Sequence, residues 1–225
     1  MNSKTALLAG ASGLVGGYCL QFLLKSQRYS DVVILVRNPL SVKHEKLNQQ
    51  VVDFDSLEVN SHLIQANDIF CCLGSTIKKA GSQEAFKKVD FTYPYELAKL
   101  ASANGGERYL IITAIGSNER APAFYSRVKG QVEKAVSREA FKGVHIFRPS
   151  FIVGKRAEKR PAEDFLIGMG RATAFTMVGP FKRFRPIKAE AIAGAMVAVA
   201  EQELSGVTIY ESHQIQQIYD ESLAT

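Results

Sequence analysis

Short, almost unbroken apolar runs recur along the chain. Between them lie longer stretches in which apolar residues return every three or four positions. The runs are "TALLAG" (Thr5 to Gly10), "DVVILVR" (Asp31 to Arg37), "QQVVDFD" (Gln49 to Asp55), "DIFCCLG" (Asp68 to Gly74), "RYLIIT" (Arg108 to Thr113), "GVHIFRPS" (Gly143 to Ser150) and "GVTIY" (Gly206 to Tyr210). They are too short for helices. Apolar side chains on both sides of the backbone predict strands of a parallel sheet covered on both faces. The periodic stretches predict helices over Leu14 to Ser26, Ser82 to Asn104, Phe124 to Glu139 and Lys188 to Glu201. Pro94 bends or restarts the second of these. Strands alternating with helices predict an α/β fold with a doubly wound, mostly parallel sheet.

The rhythm breaks after Ser150. Residues 151–185 are rich in Gly, Arg, Lys and Phe, with one short helical stretch near Glu163 to Met169. Such a segment inside a compact domain reads as a substrate lid. The expected organisation is one domain over 1–225, with a cofactor-binding core at 1–150, the lid at 151–185 and a closing helix and strand at 186–225.

Composition narrows the class. With 46% apolar residues in 225, the chain has enough to fill a large core. The uncharged run "AIAGAMVAVA" (Ala191 to Ala200) is about half a membrane span, so a packed helix is expected. The amino terminus has no signal-peptide pattern. Cys19, Cys71 and Cys72 sit in apolar segments and read as reduced core thiols, so a cytoplasmic protein is expected. Adjacent Cys71 and Cys72 point to opposite faces of a strand. The formal charge of +6 gathers at Lys78-Lys79, at Lys155 to Arg160 and at Phe181 to Arg185. This suggests a small anionic substrate. No motif supports nucleic-acid binding, and His44, His62, His145 and His213 lack metal-ligand spacing. A homo-oligomer is compatible with this composition.

The first strand runs into "GASGLVGG", with Gly10, Gly13 and Gly16 spaced as G-x-x-G-x-x-G, and a helix follows. Gly10 allows the tight turn, Gly13 lets the backbone approach a pyrophosphate, and Gly16 lets helix and strand pack closely. The helix N-terminus offers free N–H groups and a favourable dipole to phosphates. At the end of the second strand stands Arg37 rather than the acidic residue that bonds the ribose of NAD. A guanidinium suits a 2′-phosphate, so NADP(H) is expected. Asp53 could accept from the adenine amine, and Gly74, closing "CCLG" with Cys72 and Leu73, could let the dinucleotide cross the sheet edge.

Two stretches fit Tyr-x-x-x-Lys: "YELAK" (Tyr95 to Lys99) and "YSRVK" (Tyr125 to Lys129). In an open α/β sheet, chemistry happens beyond the carboxyl ends of the strands. Tyr95 lies well down its helix, roughly 20 Å from that edge. Tyr125 stands at the start of its helix, and Lys129 shares its face one turn on. A neighbouring ammonium favours phenolate. Tyr125 could serve as a general acid to a carbonyl oxygen or as the base in reverse, while Lys129 could hold the ribose. Thr113, with Ser117 as the back-up, is the expected third hydroxyl.

"GASGLVG", "VDFTYPYELAKLASANGGERYLIITAIGS", "YSRVKGQVE" and "FRPSFIVG" follow one another as in the short-chain dehydrogenase/reductase superfamily, atypical or extended branch. With "CCLGST" and "KKAG" the chain most resembles the Tat-interactive-protein-like branch, over about Lys4 to Arg171. The resemblance implies a Rossmann sheet of about seven strands binding NADP(H), with Ser12, Leu14 and Val15 in the phosphate turn. It puts Thr113, Tyr125 and Lys129 in the triad positions, and Pro149, Ser150 and Phe151 beside the nicotinamide. Thr113-Ala114 departs from the usual Ser there; threonine keeps the hydroxyl with more restricted rotamers. The expected activity is NADPH-dependent reduction of a carbonyl in a small, anionic substrate. The alternatives are an NADP(H)-binding regulator or redox sensor with little turnover and, third, a nucleotide-sugar epimerase or dehydratase.

Overall fold

A computed structural model describes residues 3–154 and 184–224. Seven strands form one sheet: β1 (Lys4–Ala9), β2 (Tyr29–Val36), β3 (Leu47–Val51), β4 (Asp68–Cys71), β5 (Arg108–Ile112), β6 (Gly143–Arg148) and, skipping a small pair, β9 (Gly206–Glu211). Their order is β3-β2-β1-β4-β5-β6-β9, and every pairing is parallel. The chain starts in the middle, winds outward to β3, then crosses β1 and winds outward to β9. The gap between β1 and β4 is the topological switch point, where ligands of open α/β sheets bind.

The unbroken apolar runs have a simple cause. Ala6 and Leu8 of β1 are buried in one layer and Leu7 and Ala9 in the other. The first layer is closed by helices α1 (Leu14–Lys25), α6 (Ala189–Glu201) and α7 (Ser212–Ser222). The second is closed by α4 (Tyr93–Ala103), α5 (Phe124–Val136) and a helical turn at Phe54–Leu63. Cys71 lies in the second layer and Cys72 against the first, and all three cysteines are free thiols. The apolar run around Ala191 to Ala200 is a packed helix. Among the described residues no helix is long and apolar enough to cross a membrane.

The long helical stretch before β5 is broken into pieces. α2 (Ile77–Ala80) and α3 (Gln83–Lys87) precede a wide π turn at Lys88–Thr92, and α4 follows with Pro94 in its first turn. Two short strands, β7 (Ile152–Val153) and β8 (Ile187–Lys188), pair in parallel and bring residues on either side of 155–183 together. The expected helix near Glu163 to Met169 and most of the expected lid lie outside the described residues.

The amino ends of the strands are tied by ions. Asp68, fully buried, receives Arg108 at 2.7 Å, Arg28 at 3.3 Å and the Tyr29 hydroxyl at 2.8 Å. Lys4 bridges Glu107 and Glu203, and Arg28 also reaches Glu203.

Candidate active site

The glycine turn caps the opposite, carboxyl edge. Gly10 has φ of +91°, in the left-handed region, and an added Cβ would lie 2.6 Å from the backbone carbonyl of Cys72. At Gly16 a Cβ would lie 2.0 Å from the Gly10 carbonyl oxygen, so helix and turn touch there. The Gly13 amide donates to that same oxygen at 2.9 Å, and Gly13 caps α1 without a side-chain bond. A Cβ on Gly13 would meet only the Gly10 carbonyl, at 3.2 Å, so its other side is open. No acidic residue stands in the first turn of α1. Free N–H groups, an open approach and no opposing carboxylate fit a pyrophosphate. Ser12 and Leu14 flank the turn, and Val15 packs beneath it.

Arg37 follows β2, is exposed, and forms no hydrogen bond or ion pair with the described residues. Its charge bears slightly on the Tyr93 phenol, which burial and the carboxylate of Asp55 push up to about 12. Asp53 caps the next helical turn, accepting from the Asp55 amide at 2.9 Å and the Ser56 hydroxyl at 3.4 Å. It retains lone pairs beyond those bonds.

Tyr125 stands in the first turn of α5, half-buried. Its ring lies 5.4 Å from that of Phe86 on α3, which also packs against Phe124. Lys129, one turn along, is 6% exposed and pairs with Asp90 at 2.7 Å. The other Asp90 oxygen accepts the Ser75 amide at 2.8 Å. Gly74 lies over the pair: a Cβ there would be 3.4 Å from the carboxylate and 3.6 Å from the ammonium. Burial, the largest single influence, works against the Lys129 ammonium, but the charge and hydrogen bond of Asp90, together with Tyr125 and Cys71, hold the lysine above its ordinary pKa. Tyr95, of the other Tyr-x-x-x-Lys stretch, packs on Phe91 with Lys99 over its ring, away from these residues.

Both candidate third hydroxyls are occupied. Thr113 is buried and donates to Glu133 of α5 at 2.6 Å, and Glu133 in turn receives Arg148 at 2.5 and 2.9 Å. The pairing with Glu133 raises the Arg148 pKa further. Ser117 donates to the Ala114 carbonyl at 2.6 Å. Pro149 accepts the Ile115 amide at 2.9 Å, which ties the loop after β5 to the end of β6. The Ser150 amide donates to the Ser212 hydroxyl at 2.7 Å, its own hydroxyl donates to the Arg185 carbonyl, and Phe151 is exposed.

The fold thus gathers Gly10, Gly13, Gly74, Pro149 and, on α5, Tyr125 and Lys129 at one sheet edge. Sequence reasoning missed Phe86, Asp90, Glu133 and Arg148. The signal for Asp90 was a lone acid two residues before a threonine and four before a proline, in a stretch otherwise read as plain helix.

Residues 10–166 match the family described as NAD(P)H-binding. Protein HTATIP2 of Rattus norvegicus is 35% identical over 167 residues, covering 72% of this chain and 69% of that protein. The mitochondrial protein FMP52 of Lodderomyces elongisporus is 28% identical over 215 residues, 91% of this chain and 90% of its own. Among solved structures, the Bordetella bronchiseptica enzyme WbmH in complex with NAD+ superposes with a TM-score of 0.71 at 15% identity, over 97% of this chain and 80% of that one.

Proposed function

The chain belongs to the NAD(P)H-binding family, within the extended short-chain dehydrogenase/reductase group, and we propose that it is an NADPH-dependent reductase of a small, anionic carbonyl compound. The observation that carries this reading is Tyr125 in the first turn of α5, with Lys129 one turn on, beside the glycine turn's edge. The bound nucleotide would supply the hydride. Gly10, Ser12, Gly13, Leu14, Val15 and Gly16 would hold its pyrophosphate. Arg37, with no partner among the described residues, would take the 2′-phosphate, and Asp53 the adenine. Cys72, Leu73 and Gly74 would line the crossing, and Pro149, Ser150 and Phe151 the nicotinamide end. Tyr125 would give its proton to the carbonyl oxygen while Phe86 keeps the ring in place. Lys129 would bond the ribose with the donors that Asp90 leaves over. The free thiols suit a reducing compartment, either the cytoplasm or the mitochondrion named for the FMP52 relative; cell fractionation separates the two.

The engaged hydroxyls favour a second reading. With Thr113 spent on Glu133 and Ser117 on Ala114, neither hydroxyl is a ready second donor to the substrate oxygen. An NADP(H)-binding regulator with little turnover fits that economy. The deciding experiment is NADPH and NADH titration followed by turnover on a panel of aldehydes and ketones. Tight NADPH binding with turnover that drops about 10²-fold in Tyr125→Phe supports the reductase. Tight binding with no turnover supports the regulator, and equal affinity for both nucleotides refutes the assignment of Arg37.

A further inference from the structure

The two edges of the sheet are not alike. β3, at one edge, carries Asn48, Gln49 and Gln50, and Gln49 straps the preceding loop to it through the Leu40 amide and the carbonyls of Leu40 and Val42. β9, at the other, has none of the usual protections of an edge strand. From Leu204 to Tyr210 there is no charged residue and no proline, and the register with β6 runs without a bulge. Alternate residues of a strand turn their backbone groups to opposite sides. The Gly206 amide bonds the Lys142 carbonyl, so Gly206, Thr208 and Tyr210 face β6. Val207 and Ile209 face outward, and their amides and carbonyls have no partner among the described residues. Their side chains lie beside Val144 and Ile146 on the second-layer face, yet they are 53% and 41% exposed.

We propose that β9 is a homodimer interface, at which two copies of this chain pair antiparallel about a two-fold axis through Thr208 and join two seven-stranded sheets into one. The outward residues stand on either side of Thr208, so Val207 of each copy exchanges both backbone bonds with Ile209 of the other. Thr208 then faces its own counterpart as a non-hydrogen-bonded pair. Such an interface is self-complementary, with the same patch on both subunits. The pairing also sets Val207 and Ile209 of one copy against Ile209 and Val207 of the other, which merges two exposed apolar strips. Charge fixes the direction. Lys142, its side chain 68% exposed, stands beside the Gly206 end of β9, and Glu211 closes the strand. Antiparallel pairing turns base toward acid across the axis, whereas parallel pairing sets like beside like. A second copy thus supplies every group that the edge lacks.

One short strand buries less than the standard interface of about 800 Å² per partner, so the expected dimer is weak, with a dissociation constant of about 10–100 μM. The full chain is followed by sedimentation equilibrium from about 1 to 500 μM. Its mass is expected to climb from that of a monomer toward twice that value. Ile209→Lys should raise the dissociation constant at least about tenfold with the melting temperature kept, because a lysine on an edge blocks pairing. Thr208→Cys reports the register. Opposed Cα atoms of a non-hydrogen-bonded pair lie about 4.5 Å apart, within disulfide reach. With oxidised glutathione this variant should form a disulfide-linked dimer. Ser205→Cys should not, since the axis sets its two copies about 20 Å apart. The wild type under the same oxidation controls for Cys19, Cys71 and Cys72. A wild type that stays monomeric at the highest concentration overturns the proposal. A dimer that folded Ile209→Lys leaves intact overturns it too, because the contact then lies on another surface. So does a Thr208→Cys that fails to link, or that links no better than Ser205→Cys. If Ile209→Lys does not fold, the wild-type mass and the Thr208→Cys link still decide.

Discussion

Replacing Gly130 by alanine should loosen the loop before Tyr125 and leave the nucleotide turn untouched. Gly130 faces the loop between β5 and α5, and an added Cβ would lie 2.2 Å from the Asn118 carbonyl carbon and the Glu119 amide nitrogen. Both are backbone atoms, so no rotamer change relieves the overlap. Restoring ordinary contact requires the loop to retreat by about 1 Å. The loop is held to α5 by the Asn118 amide bonding the Ser126 carbonyl and by Arg127 donating to the carbonyls of Ala121 and Pro122. Overpacking costs about 1–3 kcal/mol, and backbone on both sides of the contact argues for the upper end. Alanine returns about 1 kcal/mol through its higher helix propensity. The net loss of about 2 kcal/mol should lower the melting temperature by roughly 4–8 °C in a chain of this size. A displacement of about 1 Å near the proton donor should also reduce turnover by about 10²-fold. NADPH affinity should hold, because Gly10 to Gly16 lie on other elements. Thermal melts, isothermal titration with NADPH and carbonyl reduction together check this. A melting temperature equal to or above the wild type's would refute the argument, since it would mean the loop yields at no cost and only the helix gain remains.

Gly13→Val should abolish NADPH binding with the fold retained, because the branched side chain fills the open side of the phosphate turn; calorimetry with unchanged affinity would place the phosphates elsewhere. Arg37→Asp should erase or reverse the preference for NADPH over NADH, read as the ratio of the two dissociation constants. His145 is fully buried beside the Tyr210 hydroxyl, and burial, together with Arg108, holds its pKa below the usual value. A depressed histidine stabilises the native state above its unfolded pKa of about 6.5 and withdraws that support as pH falls toward the folded value. Melting temperature should therefore decline on acidification below about pH 6.5, and His145→Phe should flatten that decline; parallel profiles would show that another group titrates.

The strands of the parallel sheet were legible because burial on both faces leaves little room for polar residues, as in Leu7 to Ala9 and Ile69 to Cys71. The glycine turn was legible because its function is a local backbone geometry, repeated at fixed spacing in Gly10, Gly13 and Gly16. Tyr125 and Lys129 were legible for the same reason, one helical turn apart. The partners that hold them were not. Asp90 lies far from Lys129 in the chain, Thr113 meets Glu133 only when α5 folds back, and Arg148 arrives on another strand. Helix α7 was also missed. Its cap is Glu211 rather than Ser, Thr, Asp or Asn, closed by Gln214 bonding back to the Glu211 amide at 2.9 Å. The apolar spacing of Ile215, Ile218 and Tyr219 could have found it. The π turn left no legible mark because Lys88 to Thr92 hold no Gly or Pro to signal a break, and Asp90 meets Lys129 only in the fold.

The ion network around Asp68 has a bearing on how this protein changes over time. At that end of the sheet the acids and bases answer one another, through Arg28, Arg108, Lys4, Glu107 and Glu203. At the other end no carboxylate stands in the first turn of α1, and the Arg37 guanidinium has no answering group among the described residues. A library of random variants should therefore sort geographically. Lesions near Asp68 would reduce how much protein survives in the cell, whatever it does. Lesions near Gly13 and Tyr125 would leave abundance alone and alter what is bound or converted. A lineage could rewrite its chemistry at one rim while the opposite rim keeps the molecule folded, and counting soluble protein beside activity across such a library would trace the border between the two.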